Sequence, residues 1–156
     1  MEPAGRLGGI EPELLRRMTF ETFNVRGNNP TAGQRASLEH AFTFARHYAE
    51  QPDGWVTFFG ETGVGKTHLA VAIAAEWLKA GHPVFFIMVA DLLDHLRATF
   101  APNSTVTYDQ RFEEIKNSPL LVLDDLSGEK GSTWAEEKLR QIFVHRHNAR
   151  LPTVIT

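Results

Sequence analysis

Trp55-Val56-Thr57-Phe58-Phe59-Gly60-Glu61-Thr62-Gly63-Val64-Gly65-Lys66-Thr67-His68-Leu69 is the stretch from which the rest of the chain can be read. Trp55–Phe59 is a short β-prone run, Gly60–Gly65 is rich in glycine, and Lys66–Ala80 has helical character. Gly81 and Pro83 close that helix, and Val84–Val89 follows as an apolar run without alternation. Leu120–Leu123, set off by Pro119, is a second run of the same kind. Unbroken apolar runs suit strands covered on both faces, as in a parallel sheet.

The same alternation extends outward in both directions. Thr31 and Gln34 have the spacing of a capping box, and Leu38, Ala41, Phe42, Ala45 and Tyr48 fall on one helical face, so 31–50 reads as a helix ended by Pro52, Asp53 and Gly54. Asp91 and Asp94 start a helix with the face Leu92, Leu93, Leu96 and Phe100. Ala101–Thr107 reads as a loop and Asp109–Lys116 as a short helix. Thr133 and Glu136 again fit a capping box, ahead of Leu139, Ile142, Phe143 and Arg146 at helical spacing. Pro152 introduces Thr153–Thr156, the start of a fourth strand. Strands alternating with helices predict an α/β fold, a doubly wound, mainly parallel sheet between helical layers. Residues 1–30 show no sustained period and read as an extended lead-in to a core over 31–156.

Composition narrows the function classes. The 156 residues are 42% hydrophobic and 22% charged, close to ordinary globular usage, which excludes collagen-like and wholly disordered chains. The net charge of −3 does not indicate a strongly basic nucleic-acid binder, although a local patch is compatible with it. Without cysteine there is no disulfide framework, thiolate nucleophile or Cys-ligated zinc. The longest apolar run, Val84–Ala90, is far shorter than the roughly 18 residues of a spanning helix, and Met1–Gly9 lacks the apolar segment of a signal peptide. The expectation is a soluble, cytoplasmic domain with no membrane partner.

Gly60 through Thr67 matches G-x-x-x-x-G-K-[ST] at every fixed position. Gly60 and Gly65 let the backbone curl so that successive N–H groups face a phosphate, and the helix N-terminus after Lys66 adds positive potential. Lys66 is expected to reach the β/γ-phosphates of a nucleotide, and the Thr67 hydroxyl to ligate Mg²⁺. The nucleotide-binding set is therefore Gly60, Glu61, Thr62, Gly63, Val64, Gly65, Lys66, Thr67 and His68. Asp124 and Asp125 close the buried run Leu120–Leu123, where ligands bind in open α/β sheets. Asp124 is expected to hold Mg²⁺ and Asp125 to orient or deprotonate the attacking water, with Lys66 and Asp125 as the catalytic pair. A strand, Val84–Val89, falls between the two motifs, as is typical of ATPases that move or remodel macromolecules.

These residues carry a resemblance. Gly65–Ala70, Leu123–Leu126, Trp134 followed by Glu137-Lys138-Leu139, Leu151-Pro152-Thr153 and Thr19–Phe23 resemble the AAA+ replicative helicase loaders of the DnaC/DnaI type. Transposition helper ATPases of the IstB type share most of the pattern, and the initiator DnaA shares Gly65–Leu69. The resemblance covers about residues 18–156. It implies ATP and Mg²⁺ as cofactors, self-association through the AAA+ core, single-stranded DNA, and a replicative helicase as partner, or a transposase for the helper type. A small-molecule P-loop kinase is a third reading. In such loaders the strand near Pro152 leads into a sensor asparagine, a fifth strand, an arginine finger and a helical lid, which the sequence to Thr156 does not reach. The expectation is that nucleotide binding persists and hydrolysis is weak or absent, with Trp55–Phe59 as an exposed edge strand.

Five further features carry expectations. His68 is read chiefly as helix packing. Phe20 and Phe23 either flank the adenine ring or are core aromatics. Lys138, Arg140, Arg146 and Arg150 with two histidines read mainly as a solvated cationic helix face, and otherwise as a contact for DNA or a neighbouring subunit. The Ala101–Thr107 loop with Arg97 and Arg111 is a second candidate DNA contact, and Trp134 is either core or partner contact.

Overall fold

A computed structural model describes residues 9–26, 30–61, 63–103, 107–126 and 132–156. In chain order the elements are α1 (Pro12–Arg17), α2 (Ala32–Glu50), β1 (Trp55–Thr57), α3 (Lys66–Lys79), β2 (Phe85–Met88), α4 (Val89–Ala98), α5 (Tyr108–Asn117), β3 (Leu121–Asp124), α6 (Thr133–Asn148) and β4 (Thr153–Ile155). All strand pairs are parallel, in the order β1-β4-β3-β2. Thus β1 lies at one edge of this sheet and β2 at the other, and β4 separates β1 from β3.

The continuous apolar runs are used as the sequence predicts, by covering both faces of the sheet. Val56, Phe86, Val122 and Val154 pack with α2 and α3 on one side. Phe85, Ile87, Leu121 and Leu123 face the other way, against α4, α5 and α6. The period of two splits each run between two cores, so neither face can be polar. The crossover from β1 to β2 runs through α3 on one face, while those from β2 to β3 and β3 to β4 run through helices on the opposite face. The winding therefore reverses beside β1, the arrangement that opens a crevice at the carboxyl ends of the strands.

Several local expectations change. The lead-in contains α1, with Pro12 in its first turn, and Leu14, Leu15 and Met18 pack on the first core. Six residues are too few for a helical period to show. Helix α4 begins at Val89, directly after β2, rather than at Asp91. It ends at Ala98, so Phe100 falls outside its buried face and is 62% exposed. Ser132, not Thr133, caps α6, its hydroxyl accepting from the Ala135 amide at 3.1 Å. The Thr31–Gln34 capping box is present, and a second one, Thr107–Gln110, starts α5.

Candidate functional site

Gly65 is the pivot between the glycine loop and α3. It caps the helix in a left-handed conformation, φ +107°, and a Cβ there would stand 2.7 Å from the Phe23 ring. Only glycine meets both demands without strain. The first intrahelical bond of α3 runs from the Leu69 amide to the Gly65 carbonyl, 3.1 Å. The amides of Lys66, Thr67 and His68 precede it and point out of the helix end, where the macrodipole is positive. Gly63, at φ +86°, turns the loop ahead of them. The Lys66 ammonium folds across the loop and donates to the Gly60 carbonyl at 2.5 Å. Glu61 and Val64 are exposed on the loop, and Thr62 lies outside the described residues.

The sheet brings the second half of the site to this loop. The Thr67 hydroxyl donates to Asp124 Oδ1 at 2.9 Å, although 57 residues separate them. Asp124 is buried at the end of β3, and Asp125 is exposed with φ +59°. An aspartate tolerates that conformation better than most residues, and such outliers gather at functional sites. Thr156 completes the arrangement. Its hydroxyl donates to Asp124 Oδ1 at 2.6 Å and accepts from the Asp125 amide at 2.9 Å. The Thr156 amide bonds the Leu123 carbonyl at 3.0 Å, and its own carbonyl takes the Leu126 amide at 2.8 Å. Oxygen donors on one carboxylate and one hydroxyl suit a hard divalent cation such as Mg²⁺.

Two adjoining clefts share the glycine loop as a common wall. One, of about 700 Å³, reaches from Gly60 and Lys66 to Phe23, Asn24 and Gln34. The other, about 480 Å³, holds Thr67, Asp124, Asp125 and Thr156 with Met18 and Met88 at its rim. Gly63, Gly65, Lys66 and His68 border both. A ligand lying over the start of α3 therefore has a partly apolar compartment on one side and an acid-lined compartment on the other.

Phe20 and Phe23 part company. Phe20 is buried in the first core, edge-on to Phe42 at 5.7 Å. Phe23 stacks on Phe42 at 5.6 Å and lines the larger cleft. His68 does pack within the fold, with its ring edge-on to Phe23 at 5.1 Å and its Nε2 2.6 Å from the Thr19 carbonyl.

The cationic stretch from Lys138 to Arg150 is a solvated face in part: Arg140, His147 and Arg150 are exposed, whereas Arg146 turns inward. Arg146 is fully buried: Nε donates to Thr153 Oγ1 at 2.9 Å, Nη1 to the Ser118 carbonyl at 2.7 Å and the Lys116 carbonyl at 3.1 Å, and Nη2 to the Pro152 carbonyl at 2.6 Å. Burial pulls its guanidinium down to about 10, still charged at neutral pH. Arg140 makes a two-pronged pair with Glu137, 3.0 and 2.7 Å, whose hydrogen bonds hold that carboxyl at about 2. The Lys138 ammonium sits 5.1 Å from the Tyr108 ring and 5.4 Å from that of Phe112. Beside it, exposed Phe100 stacks on Tyr108 at 5.2 Å, and the Arg97 guanidinium lies 4.9 Å from the Trp134 ring. The loop between α4 and α5 adjoins this patch, and its residues 104–106 lie outside the described residues.

In the acid-lined cleft, Thr156 and the two methionines are the residues that sequence reasoning did not single out. Thr156 carried no motif. Its relation to Asp124 follows from the pairing of Leu123 with Ile155, which places the next residues side by side.

Comparison with known proteins places the chain in a family and a fold. The family model for IstB-like ATP binding protein matches residues 32–156. The replicative helicase loader DnaC of Escherichia coli (strain K12) is 34% identical over 148 residues, covering 93% of this chain and 56% of that protein. The chain thus spans little more than half the length of this relative. A crystal structure of the DnaC helicase loader superposes with a TM-score of 0.70 at 30% identity, covering 91% of this chain and 77% of that one. The replication initiator DnaA, solved bound to AMPPCP and single-stranded DNA, superposes at 0.74 with 21% identity, covering 93% and 41%, which shows a common fold.

Proposed function

The chain belongs to the IstB-like ATP-binding protein family and is homologous to replicative helicase loaders, and from that premise we propose that it is the Mg-ATP-binding AAA+ module of such a loader. The observation that carries this reading is the meeting of Thr67 with Asp124 at 2.9 Å beside the start of α3, at the carboxyl edge of the sheet. A phosphate-binding loop and a metal-holding acid are useful only when adjacent, and the contact of Thr67 with Asp124 supports that pairing of roles.

In this reading the residues divide the work. The amides at the start of α3, with the loop through Gly60, Glu61, Thr62, Gly63, Val64 and Gly65, cradle the phosphates. Lys66 exchanges the Gly60 carbonyl for β/γ-phosphate oxygens. Thr67 and Asp124 hold Mg²⁺, which supplies charge neutralisation at the terminal phosphates. Asp125 receives the proton of, or orients, the attacking water. Thr156 holds both acids in register through its hydroxyl. The base and sugar occupy the larger cleft, against Phe23.

The proposed setting is cytoplasmic, with a replicative helicase as partner and self-association through the AAA+ core. Among the described residues, no helix is long and apolar enough to cross a membrane. The patch of Phe100, Trp134 and Arg97 offers exposed ring surface and positive charge together, which favours single-stranded DNA as a further partner. The transposition-helper reading uses the same nucleotide site and differs in its partner, so capture of a transposase rather than a helicase would favour it.

The test is equilibrium binding of a fluorescent ATP analogue with Mg²⁺ to this chain and to Lys66→Ala. Wild-type binding that falls at least about 30-fold in the variant and weakens on chelation with EDTA supports the site, since charge-assisted hydrogen bonds lost to a multiply charged ligand are each worth about 1.5–3 kcal/mol. A folded wild type that binds no nucleotide at millimolar concentration refutes it.

A further inference from the structure

Residues 19–23, which follow α1, form a self-contained turn. The Thr19 amide donates to Thr22 Oγ1 at 3.0 Å, and the Thr22 amide donates to Thr19 Oγ1 at 3.2 Å. The Thr22 hydroxyl gives its own proton to the Arg17 carbonyl at 2.6 Å. That leaves Thr22 Oγ1 an acceptor for any further partner. The turn ends in Phe23, whose ring lies against Gly65 and forms part of the larger cleft.

His68, in the first turn of α3, is what reaches it from the phosphate side. Its Nε2 lies 2.6 Å from the Thr19 carbonyl and 3.3 Å from Thr22 Oγ1. A carbonyl can only accept, so Nε2 carries the proton, and the Thr22 oxygen shares it. The same ring packs edge-on against Phe23 at 5.1 Å. One side chain therefore ties the helix start to both ends of the turn. Phe20, buried in the core, anchors the middle of the turn independently.

We propose that His68 is a positioning residue that latches the Thr19–Phe23 turn to the start of α3 through Nε2, fixing the base-side wall of the cleft relative to the phosphate loop. The inference rests on the nucleotide reading of the cleft and assigns the His68 side chain no contact with the ligand. Its consequence is selective. Loss of the latch weakens ligands that carry a base and spares ligands made of phosphate alone.

Three proteins test it: the wild-type chain, His68→Phe, which keeps a ring against Phe23 without a donor, and His68→Gln, whose amide restores a donor at similar reach. Each is titrated with Mg-ATP and with Mg-tripolyphosphate, and amide hydrogen exchange over residues 19–24 is followed without ligand. We expect His68→Phe to bind Mg-ATP about three- to tenfold more weakly while tripolyphosphate changes by less than about twofold, the scale of one hydrogen bond. Exchange in the turn speeds by a similar factor, and His68→Gln recovers most of both effects. Equal weakening of the two ligands by His68→Phe, or unchanged exchange, overturns the latch while leaving the nucleotide site standing. A wild type that binds neither ligand refutes the nucleotide reading itself, and the selective role of His68 with it.

Discussion

Arg146→Ala separates two uses of a basic residue, scaffold and contact surface. The guanidinium links the end of α5, the entry to β3 and the start of β4 by donating to the Lys116, Ser118 and Pro152 carbonyls and to the Thr153 hydroxyl. Removing it leaves the Lys116 and Ser118 carbonyls facing an emptied space, while the Pro152 carbonyl keeps the Leu121 amide and the Thr153 hydroxyl keeps the Leu151 carbonyl. Each unsatisfied buried group costs about 1–3 kcal/mol, and water entering the space recovers part of that. The cost of burying the guanidinium, visible in its lowered proton affinity, disappears in the variant and offsets a further share. The net expectation is a loss of about 3 kcal/mol. For a chain of this length that corresponds to a fall in melting temperature of about 6–12 °C. Far-UV circular dichroism melts and urea titrations measure it directly. Arg146→Lys should recover less than half, because an ammonium has three donors on one atom and cannot span acceptors on three segments. An Arg146→Ala protein that melts within about 2 °C of wild type would refute the reasoning, since no buried network of this kind is removed so cheaply. Weakened binding of single-stranded DNA at unchanged stability would point instead to an exposed, functional arginine.

Three other perturbations follow from the same structure. Gly65→Ala combines a strained φ of +107° with a 2.7 Å approach to Phe23, so it should weaken nucleotide binding and lower stability by about 1–3 kcal/mol; ligand titration and melts of one preparation check both. Phe100→Ala should weaken binding to an unlabelled oligothymidylate by about 1–3 kcal/mol, as measured by competition, without changing the melting temperature, because the ring is mostly exposed. Ser132→Ala should cost about 1 kcal/mol in urea unfolding whereas Thr133→Ala should cost a few tenths, which discriminates the cap of α6 from its first helical residue.

Much of this molecule is legible one residue at a time. The fixed glycines, Lys66 and Thr67 predict a phosphate loop because backbone curvature and charge at that spacing have few other uses. The unbroken runs Val84–Val89 and Leu120–Leu123 announce buried parallel strands, and both cores draw on them, with Val89 already part of α4 and β3 running one residue further, to Asp124. Local signals also place the Thr31–Gln34 capping box, and helix α2 to within one residue. What local signals misplace is equally instructive. Adjacent Ser132 and Thr133 offer the same hydroxyl chemistry, so the cap shifts by one, and α1 is too short to display a period.

By itself, then, the sequence determined the α/β class, the alternation of strands and helices, and the chemical character of the loop and of Asp124 and Asp125, because each depends on neighbours within a few positions. Tertiary structure alone decided which of these groups meet. Inserting β4 between β1 and β3 put Thr156 on Asp124 and gave the acid pair a hydroxyl brace that no motif encodes. The docking of the Thr19–Phe23 turn gave His68 its carbonyl partner. Helical spacing puts Arg146 on the face of Leu139 and Ile142, and packing supplied the partners its charge needs, because chain segments converge there with carbonyls that take its donors. Periodicity records how much of a residue must be buried. It does not record which backbone groups will be waiting for it, and that follows only from the order in which the strands pair.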